Sequence, residues 1–203
     1  MDDVKLGKKA GRPRGFCPEE ALETALRLFW RKGYEGTSLS DLTEAIGVNR
    51  PSLYAAFGSK EELFRRALDR YTARYGRAFS AALARPTARG VAEALLSPDP
   101  ASVCERAESG AVGCLLVQGA LACSDESEAV RAELAARREA MVAALRVRFE
   151  RAEADGDFPA DARPADMARY VVTVLNGMAV QAAGGAGAEE LRRVAEIALM
   201  AWP

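Results

Sequence analysis

Residues 37–60 contain the pattern that most restricts how this chain can fold, because they indicate two short helices around a glycine. Ser38 and Asp41 are three residues apart, the spacing of a capping box that begins a helix, and Gly47 is suited to ending that helix. Asn49 is a favoured N-cap residue, so a second helix is expected to begin directly after the corner. The segment therefore predicts a helix-turn-helix.

The two helices each have one apolar side and one side of different composition. Apolar residues recur at the spacing of one helical face, which predicts that this face is buried. The buried face comprises Leu39, Leu42, Ala45 and Ile46 of the first helix and Leu53 and Phe57 of the second, with Val48 between them. The other side of the second helix carries Arg50, Ser52, Tyr54, Ala55 and Ala56.

This outward side is suited to the major groove of DNA. The small alanines leave room for close approach, and Arg50 can donate two hydrogen bonds to guanine O6 and N7. Ser52 could reach a base edge or a phosphate, and the Tyr54 hydroxyl is better placed for a phosphate. Lys60 begins the next helix, where backbone amides and its ammonium can hold a phosphate. Double-stranded DNA is the predicted partner, and a three-helix fold that binds no nucleic acid is the alternative.

Residues 5–15 are rich in glycine and positive charge and show no helical period. Such an arm can follow a duplex into its minor groove. Arg12 and Arg14 lie nearest to the predicted domain and are the expected contacts, whereas residues 5–9 equally suit a solvated tail. The whole chain has 28 basic and 29 acidic residues, so net charge alone cannot attach it to DNA.

The N-terminal quarter of the chain resembles the DNA-binding domain of the TetR/AcrR family of bacterial transcriptional regulators. The resemblance rests on Arg12–Phe64, above all on Gly33–Ser38 and Leu53–Phe64. It implies an all-α homodimer whose N-terminal helices bind an operator, usually to repress, and whose C-terminal domain binds a small molecule that releases the DNA. It implies DNA contacts at Ser38, Ser40, Arg50, Ser52, Tyr54 and Lys60. Cys17 departs from the family, which more often has Asp, Ser or Thr there.

An all-α fold is expected because alternating runs of β-branched and aromatic residues do not occur. The first helix should run from Pro18 to about Lys32, with Gly33 ending it. We predict three parts: a flexible basic arm at 1–15, a helix-turn-helix DNA-binding domain at 16–60 and a larger helical effector-binding and dimerisation domain at 61–203.

Helical periods and breaks at proline and glycine divide the larger domain. They predict helices at 60–84, 87–97, 113–123, 124–155, 164–183 and 188–202. Ser59 and Glu62 have capping-box spacing at the start of the first of these. That helix spans both domains, so a ligand that tilts it would change the distance between the recognition helices of a dimer. This distance must match half-sites about 34 Å apart or a multiple of that spacing.

The helices at 164–183 and 188–202 are apolar on more than one face. A helix that is buried on one side only needs apolar residues on that side alone, so the pair is expected to form a subunit interface. The resemblance implies the same pair as part of a four-helix dimer bundle. A buried helix pair inside a monomer is the alternative. The expected interface residues are Val171, Val174, Leu175, Met178, Leu191, Val194, Ala198 and Trp202.

An unknown small-molecule effector is expected to bind among the helices between Lys60 and Val180, since ligand pockets are mainly apolar with a few polar groups. The candidate residues are Tyr75, Phe79, Cys114, Gln118, Met141 and Tyr170. A stripe of Met and Phe is nevertheless more often core than pocket.

The chain contains no histidine. This excludes Ser-His-Asp catalysis and His-ligated metal sites, and no phosphate-binding motif follows a strand, so we predict no enzyme, no cofactor and no metal. No apolar run approaches the roughly 20 residues that cross a membrane, and the N-terminus lacks an apolar signal segment. We therefore predict a cytoplasmic protein.

The four cysteines, at positions 17, 104, 114 and 123, lack the spacing of a metal site. Cys17 and Cys114 each stand at the predicted start of a helix, where a thiolate is favoured. The alternative function is therefore a redox- or electrophile-sensing helical binding protein that acts through Cys114 or Cys17.

Overall fold

The computed structural model describes residues 16–97, 113–121 and 127–202, and these ranges contain helices and no strand. The helices are α1 (Pro18–Lys32), α2 (Leu39–Ile46), α3 (Arg50–Phe57), α4 (Lys60–Leu83), α5 (Ala88–Leu96), α6 (Leu115–Leu121), α7 (Glu128–Ala154), α8 (Pro164–Ala183) and α9 (Ala188–Met200). The all-α prediction is confirmed. Arg12, Arg14, Cys104, Cys123 and the predicted helix start at 124 lie outside the described residues.

Local capping contacts set the ends of the first helices. Gly33 ends α1 with a φ of 72°, and the buried Thr37 hydroxyl donates to the Gly33 carbonyl oxygen at 2.7 Å. Ser38 and Asp41 form the predicted capping box of α2, and Asn49 accepts the backbone N–H three residues further on at 2.9 Å. The predicted helix-turn-helix is confirmed.

Two local predictions were wrong. The capping box of α4 is only half formed, because Ser59 accepts the Glu62 N–H at 3.0 Å while the Glu62 carboxylate pairs with Arg66 at 3.5 Å. Ala45, predicted to be buried, is exposed, because α2 turns Leu42 most deeply into the core. In the first case the next turn of α4 supplies Arg66 as a competing partner for Glu62. In the second case the rotation of α2 against its neighbours decides which residues of its apolar face are covered.

The buried side chains form two hydrophobic clusters. The head cluster joins α1–α4 to parts of α6 and α7 and includes Leu26, Phe29, Leu42, Phe57, Phe64, Leu115 and Leu134. The body cluster lies among α5, α7, α8 and α9 and includes Leu96, Leu145, Phe149, Val171 and Trp202. Leu63, Phe64 and Leu68 of α4 are fully buried in the head cluster, so its core extends beyond the predicted domain boundary at residue 60.

Ion pairs fasten α4 on two sides. Arg70 pairs with Glu19 at 2.6 Å and with Glu23 at 2.8 Å on α1. The adjacent Asp69 pairs with Arg137 of α7 at 2.6 Å. A displacement of α4 would therefore disturb its ion pairs with α1 in the head and with α7 in the body.

Arg148 of α7 anchors the C-terminal end of α4. Its guanidinium donates to the carbonyl oxygens of Leu83, Arg85 and Pro86 at 3.1, 2.8 and 3.0 Å. These contacts satisfy acceptors that the end of a helix leaves unpaired. The C-terminal end of α4 is therefore fixed to α7.

Candidate DNA-binding site

The site is built on α3, which has one buried side and one exposed side. Leu53 and Phe57 are each 3% exposed and hold the helix in the head cluster, as predicted. Arg50 and Tyr54 are exposed, and Ser52 is half-buried. The polar residues predicted to contact DNA are therefore accessible along this helix.

Ser40 and Arg50 lie together across the corner. Arg50 Nη2 donates to Ser40 Oγ at 3.0 Å, which joins the first residue of α3 to the first turn of α2. Both side chains are exposed. Ser40 therefore restrains the guanidinium that is predicted to contact a base.

Ser38 belongs to a second polar group at the start of α2. The Asp41 carboxylate accepts hydrogen bonds from Lys32 Nζ at 2.5 Å and from the Ser38 N–H at 2.8 Å. The Lys32 ammonium, together with the hydroxyl and N–H of Ser38, holds the pKa of Asp41 well below its usual range. Asp41 therefore stays ionised, and this holds the exposed Ser38 at the N-terminus of α2.

Lys60, at the first position of α4, is half-buried. Its Nζ lies 4.2 Å from the centre of the Tyr34 ring, a cation–π contact that was not predicted. Burial lowers the pKa of Lys60, and the nearby carboxylates of Glu35 and Asp41 oppose this shift. The cation is thus held at a helix N-terminus, where an anion can also meet backbone amides.

These features define the class of protein. Two capped helices of eight residues each meet at Gly47, which has a left-handed conformation. Arginine, serine and tyrosine face outward from the second helix, and a lysine begins the next. This is a helix-turn-helix DNA-binding head on a helical body.

Known protein families and relatives match both parts. Residues 21–67 match the bacterial regulatory proteins of the tetR family, and residues 100–197 match the tetracyclin repressor-like C-terminal domain. The HTH-type transcriptional repressor ComR of Escherichia coli (strain K12) is 34% identical over 100% of this chain and 97% of its own length. The repressor BdcR of the same strain is 48% identical over 35% of this chain and 36% of its own length.

One similar solved structure contains DNA. It is a cysteine mutant of the TetR family transcriptional regulator CifR complexed with a 26-base-pair double-strand operator. It is 44% identical, with a TM-score of 0.87, and the match covers 95% of this chain and 100% of that chain. The chain belongs to the TetR family of DNA-binding transcriptional regulators.

The residues predicted to bind an effector are divided between the two clusters. Tyr75, Cys114 and Met141 pack against the head cluster. Tyr170 packs against the body cluster, and its hydroxyl donates to the Ala198 carbonyl oxygen at 2.9 Å. The two clusters thus divide these four residues, and their role in effector binding stays a prediction.

Gln118 and Phe79 complete the predicted effector set, and both are half-buried. Gly113, just before α6, lies close to both Gln118 and α8. A Cβ atom added to Gly113 would be 2.7 Å from Gln118 Nε2 and 2.6 Å from the Ala179 carbonyl oxygen of α8. The start of α6 is thus tightly packed on α8.

The predicted dimer residues divide into a buried and an accessible group. The buried group comprises Val171, Met178, Leu191, Ala198 and Trp202, all within the body cluster. The accessible group comprises the half-buried Val174 and Leu175 and the exposed Val194. The first group mainly stabilises the chain itself and offers little surface to a second subunit.

Three exposed apolar residues of this helix pair, including its two most exposed, were not among the predicted interface residues. Ile197 is 67% exposed, Met200 is 82% exposed, and Val180 of α8 is 40% exposed. Ile197 and Met200 follow Val194 at every third position, so the spacing that places residues on one side of a helix could have found them.

Among the described residues, no group of three or more His, Cys, Asp or Glu side chains could hold a metal ion. Of the helices in these ranges, none combines the length and the apolar character needed to span a membrane. Two cysteines lie in the described ranges: Cys17 is exposed at the N-cap of α1, and Cys114 is half-buried just before α6.

Proposed function

We propose that this regulator is a homodimeric repressor that binds operator DNA through α2 and α3 and is released by a small-molecule effector. The geometry of the head supports the first part, because Arg50 and Ser40 lie together on its exposed side and Lys60 is held at a helix N-terminus. The relative ComR is a transcriptional repressor, and the CifR mutant was solved on operator DNA.

An uncovered apolar surface supports dimerisation. Six large apolar or aromatic side chains are exposed in the described residues, and four of them lie on α8 and α9: Val180, Val194, Ile197 and Met200. A concentration of exposed apolar side chains on one helix pair is typical of an interaction site. A Cβ on Gly177 of α8 would meet nothing within 4 Å in this chain, which leaves room for a partner helix. A two-fold pairing over this surface would give each dimer two recognition helices.

The contacts between head and body support effector release. Arg70 ties α4 to α1, and Arg148 anchors the far end of α4 on α7. Ser127, before the start of α7, donates to the carboxylate of Glu35, which is one of the charges beside Lys60. An effector that displaces α4 or α7 would therefore disturb the head and the spacing between two recognition helices.

The proposal is tested by fluorescence anisotropy on DNA from upstream of the gene, with a scrambled duplex of equal length as control. We expect a preference of about a thousandfold or more for the native duplex and a steep fall in affinity with added salt. Equal, weak binding to both duplexes, followed by failure to enrich any sequence from a random pool, would contradict operator recognition.

Replacing Lys60 with Ala is expected to weaken binding to all duplexes alike. A lysine that neutralises one phosphate contributes roughly 0.9 to the slope of log affinity against log salt, so the slope should fall by about one. The matched control is Arg89→Ala, which removes one exposed positive charge from α5 in the body. An equal loss of slope in the control, or no change for Lys60→Ala, would argue against a phosphate contact.

A second candidate function is redox or electrophile sensing through Cys114, which one contact favours. The Tyr71 hydroxyl donates to Cys114 Sγ at 3.4 Å, and the cysteine packs against the head cluster. Oxidation or alkylation would place a larger, more polar group in this packing and disturb α4. Cys17, at the N-cap of α1, makes no side-chain capping hydrogen bond.

Mild peroxide should distinguish these thiols. If Cys114 is the sensor, we expect operator affinity to fall roughly tenfold, by about 1.4 kcal/mol, and to recover with a thiol reductant. Cys114→Ser should abolish this response, and Cys17→Ser should leave it unchanged. A full response in Cys114→Ser, or no response in the unaltered protein, would remove this candidate.

A further inference from the structure

Trp30, near the end of α1, contains a buried polar atom without a partner. The residue is 3% exposed, and among the described residues its Nε1 is the one buried side-chain nitrogen or oxygen that lacks a hydrogen bond. Buried polar groups are almost always paired, so this N–H requires an explanation.

The indole lies where the head meets the body. Its ring centre is 5.0 Å from that of Tyr71 and 5.3 Å from that of Tyr75, both in edge-to-face arrangements. Tyr71 in turn contacts Cys114, the residue before α6. Three aromatic rings, a thiol and one unused donor therefore come together from α1, α4 and the start of α6. Ligand sites typically have this composition, mainly apolar with a few polar groups.

Charged residues of α1 and α4 close to this group pair with one another, including Arg74, whose guanidinium lies 5.8 Å from the Tyr75 ring centre. Arg70 contacts Glu19 and Glu23 at 2.6 and 2.8 Å, and Arg74 contacts Glu23 at 3.3 Å. A charged ligand would lose its hydration here without gaining any of these groups as a free counterion. The surroundings therefore favour an uncharged ligand.

We propose that Trp30, Tyr71, Tyr75 and Cys114 form an effector site for small, uncharged aromatic compounds with one hydrogen-bond acceptor, such as a ketone oxygen. The site deepens the effector-released repression proposed above and rests on it. The acceptor takes the Trp30 N–H, and the ligand ring displaces Tyr75, which is half-buried whereas the other two rings are buried. Because Trp30 belongs to α1, such a ligand acts directly on the head.

Nuclear magnetic resonance of ¹⁵N-labelled protein tests this site through its indole N–H signals. The chain has two tryptophans, Trp30 and Trp202, and the Trp30→Phe variant assigns their signals while keeping an aromatic ring. The probes are acetophenone, ethylbenzene without an acceptor, and charged benzoate. We expect acetophenone to shift the Trp30 signal downfield and saturably, ethylbenzene not to shift it downfield, and benzoate to leave it unchanged.

Calorimetry provides the second measurement, in which Trp30→Phe should bind acetophenone roughly 3- to 10-fold more weakly, the effect of losing one hydrogen bond. An unmoved Trp30 signal at the solubility limit of acetophenone, or equal shifts from acetophenone and ethylbenzene, would overturn the proposal. In that case a weak N–H···π contact with the neighbouring tyrosine rings would account for the buried donor.

Operator binding, measured on the same samples, separates this inference from the proposed function. Loss of operator affinity on adding acetophenone supports an effector site. A saturable Trp30 shift with unchanged operator affinity would overturn the effector role. Absence of operator preference in the unaltered protein without any probe would reject repression itself, whatever the indole signal shows.

Discussion

Replacing Ile197 with Glu is expected to convert the proposed dimer into monomers. Ile197 is 67% exposed and lies between the exposed Val194 and Met200 along α9. In a two-fold interface the new carboxylate enters twice and is buried against apolar surface without a counterion. We expect dimerisation to weaken by about 2 to 4 kcal/mol, or roughly 30- to 1000-fold, as measured by sedimentation over a range of protein concentrations.

Val147→Glu is the matched control. Val147 is also a large apolar residue, 59% exposed, but it lies on α7 and outside the α8–α9 pair. The control should remain dimeric and keep its operator affinity. A dimer that survives Ile197→Glu, or one that dissociates equally in both variants, would show that subunits do not pair through α8 and α9.

The Ile197→Glu variant should also bind the operator more weakly, although its DNA-binding head should remain folded. A monomer contacts one half-site at a time, so it loses the advantage of two linked contacts. Binding to a duplex with a single half-site should change little, because Ile197 belongs to α9, whereas the recognition helix is α3. This comparison distinguishes dissociation from unfolding.

Replacing Arg50 with Ala is expected to cost about 1 to 3 kcal/mol of operator affinity and to relax specificity at one base pair. The guanidinium is exposed at the start of α3, and its bond to Ser40 restrains its direction. Competition with duplexes that carry one substituted base pair at a time measures the effect. Discrimination should be lost at a single position and retained at the others.

Arg50→Lys separates charge from geometry. Lysine keeps the positive charge but cannot make the planar, two-bond contact of a guanidinium. We expect the salt slope to be retained and the base preference to be lost. Equal weakening of Arg50→Ala on every duplex, with a smaller salt slope, would mean that Arg50 contacts a phosphate and that another residue recognises the base.

Local sequence determined where the helices of the head begin and end. Ser38, Asp41, Gly47 and Asn49 act on backbone groups within a few residues of themselves, so their effect does not depend on the rest of the fold. For the same reason the predicted limits of the helix at 164–183 agree with α8, which proline begins and glycine follows. The recognition helix and its buried Leu53 and Phe57 could be predicted on this basis.

Only the tertiary structure decided which apolar side of a helix is covered. Periodicity relates residues on one helix to one another, but it does not state how that helix is rotated against its neighbours. Leu191 and Trp202 therefore belong to the body cluster, while Ile197 and Met200 of the same helix are exposed.

Contacts between segments that are distant in the chain likewise could not be predicted from the sequence. The position of Lys60 over Tyr34 and that of Trp30 among Tyr71 and Tyr75 arise because α1 and α4 pack together. The sequence by itself determined a capped helix-turn-helix of the TetR type, since its signals are local. The packing of long α4 against α1 and α7 decided how that head connects to the body, because this depends on which surfaces meet when the chain folds.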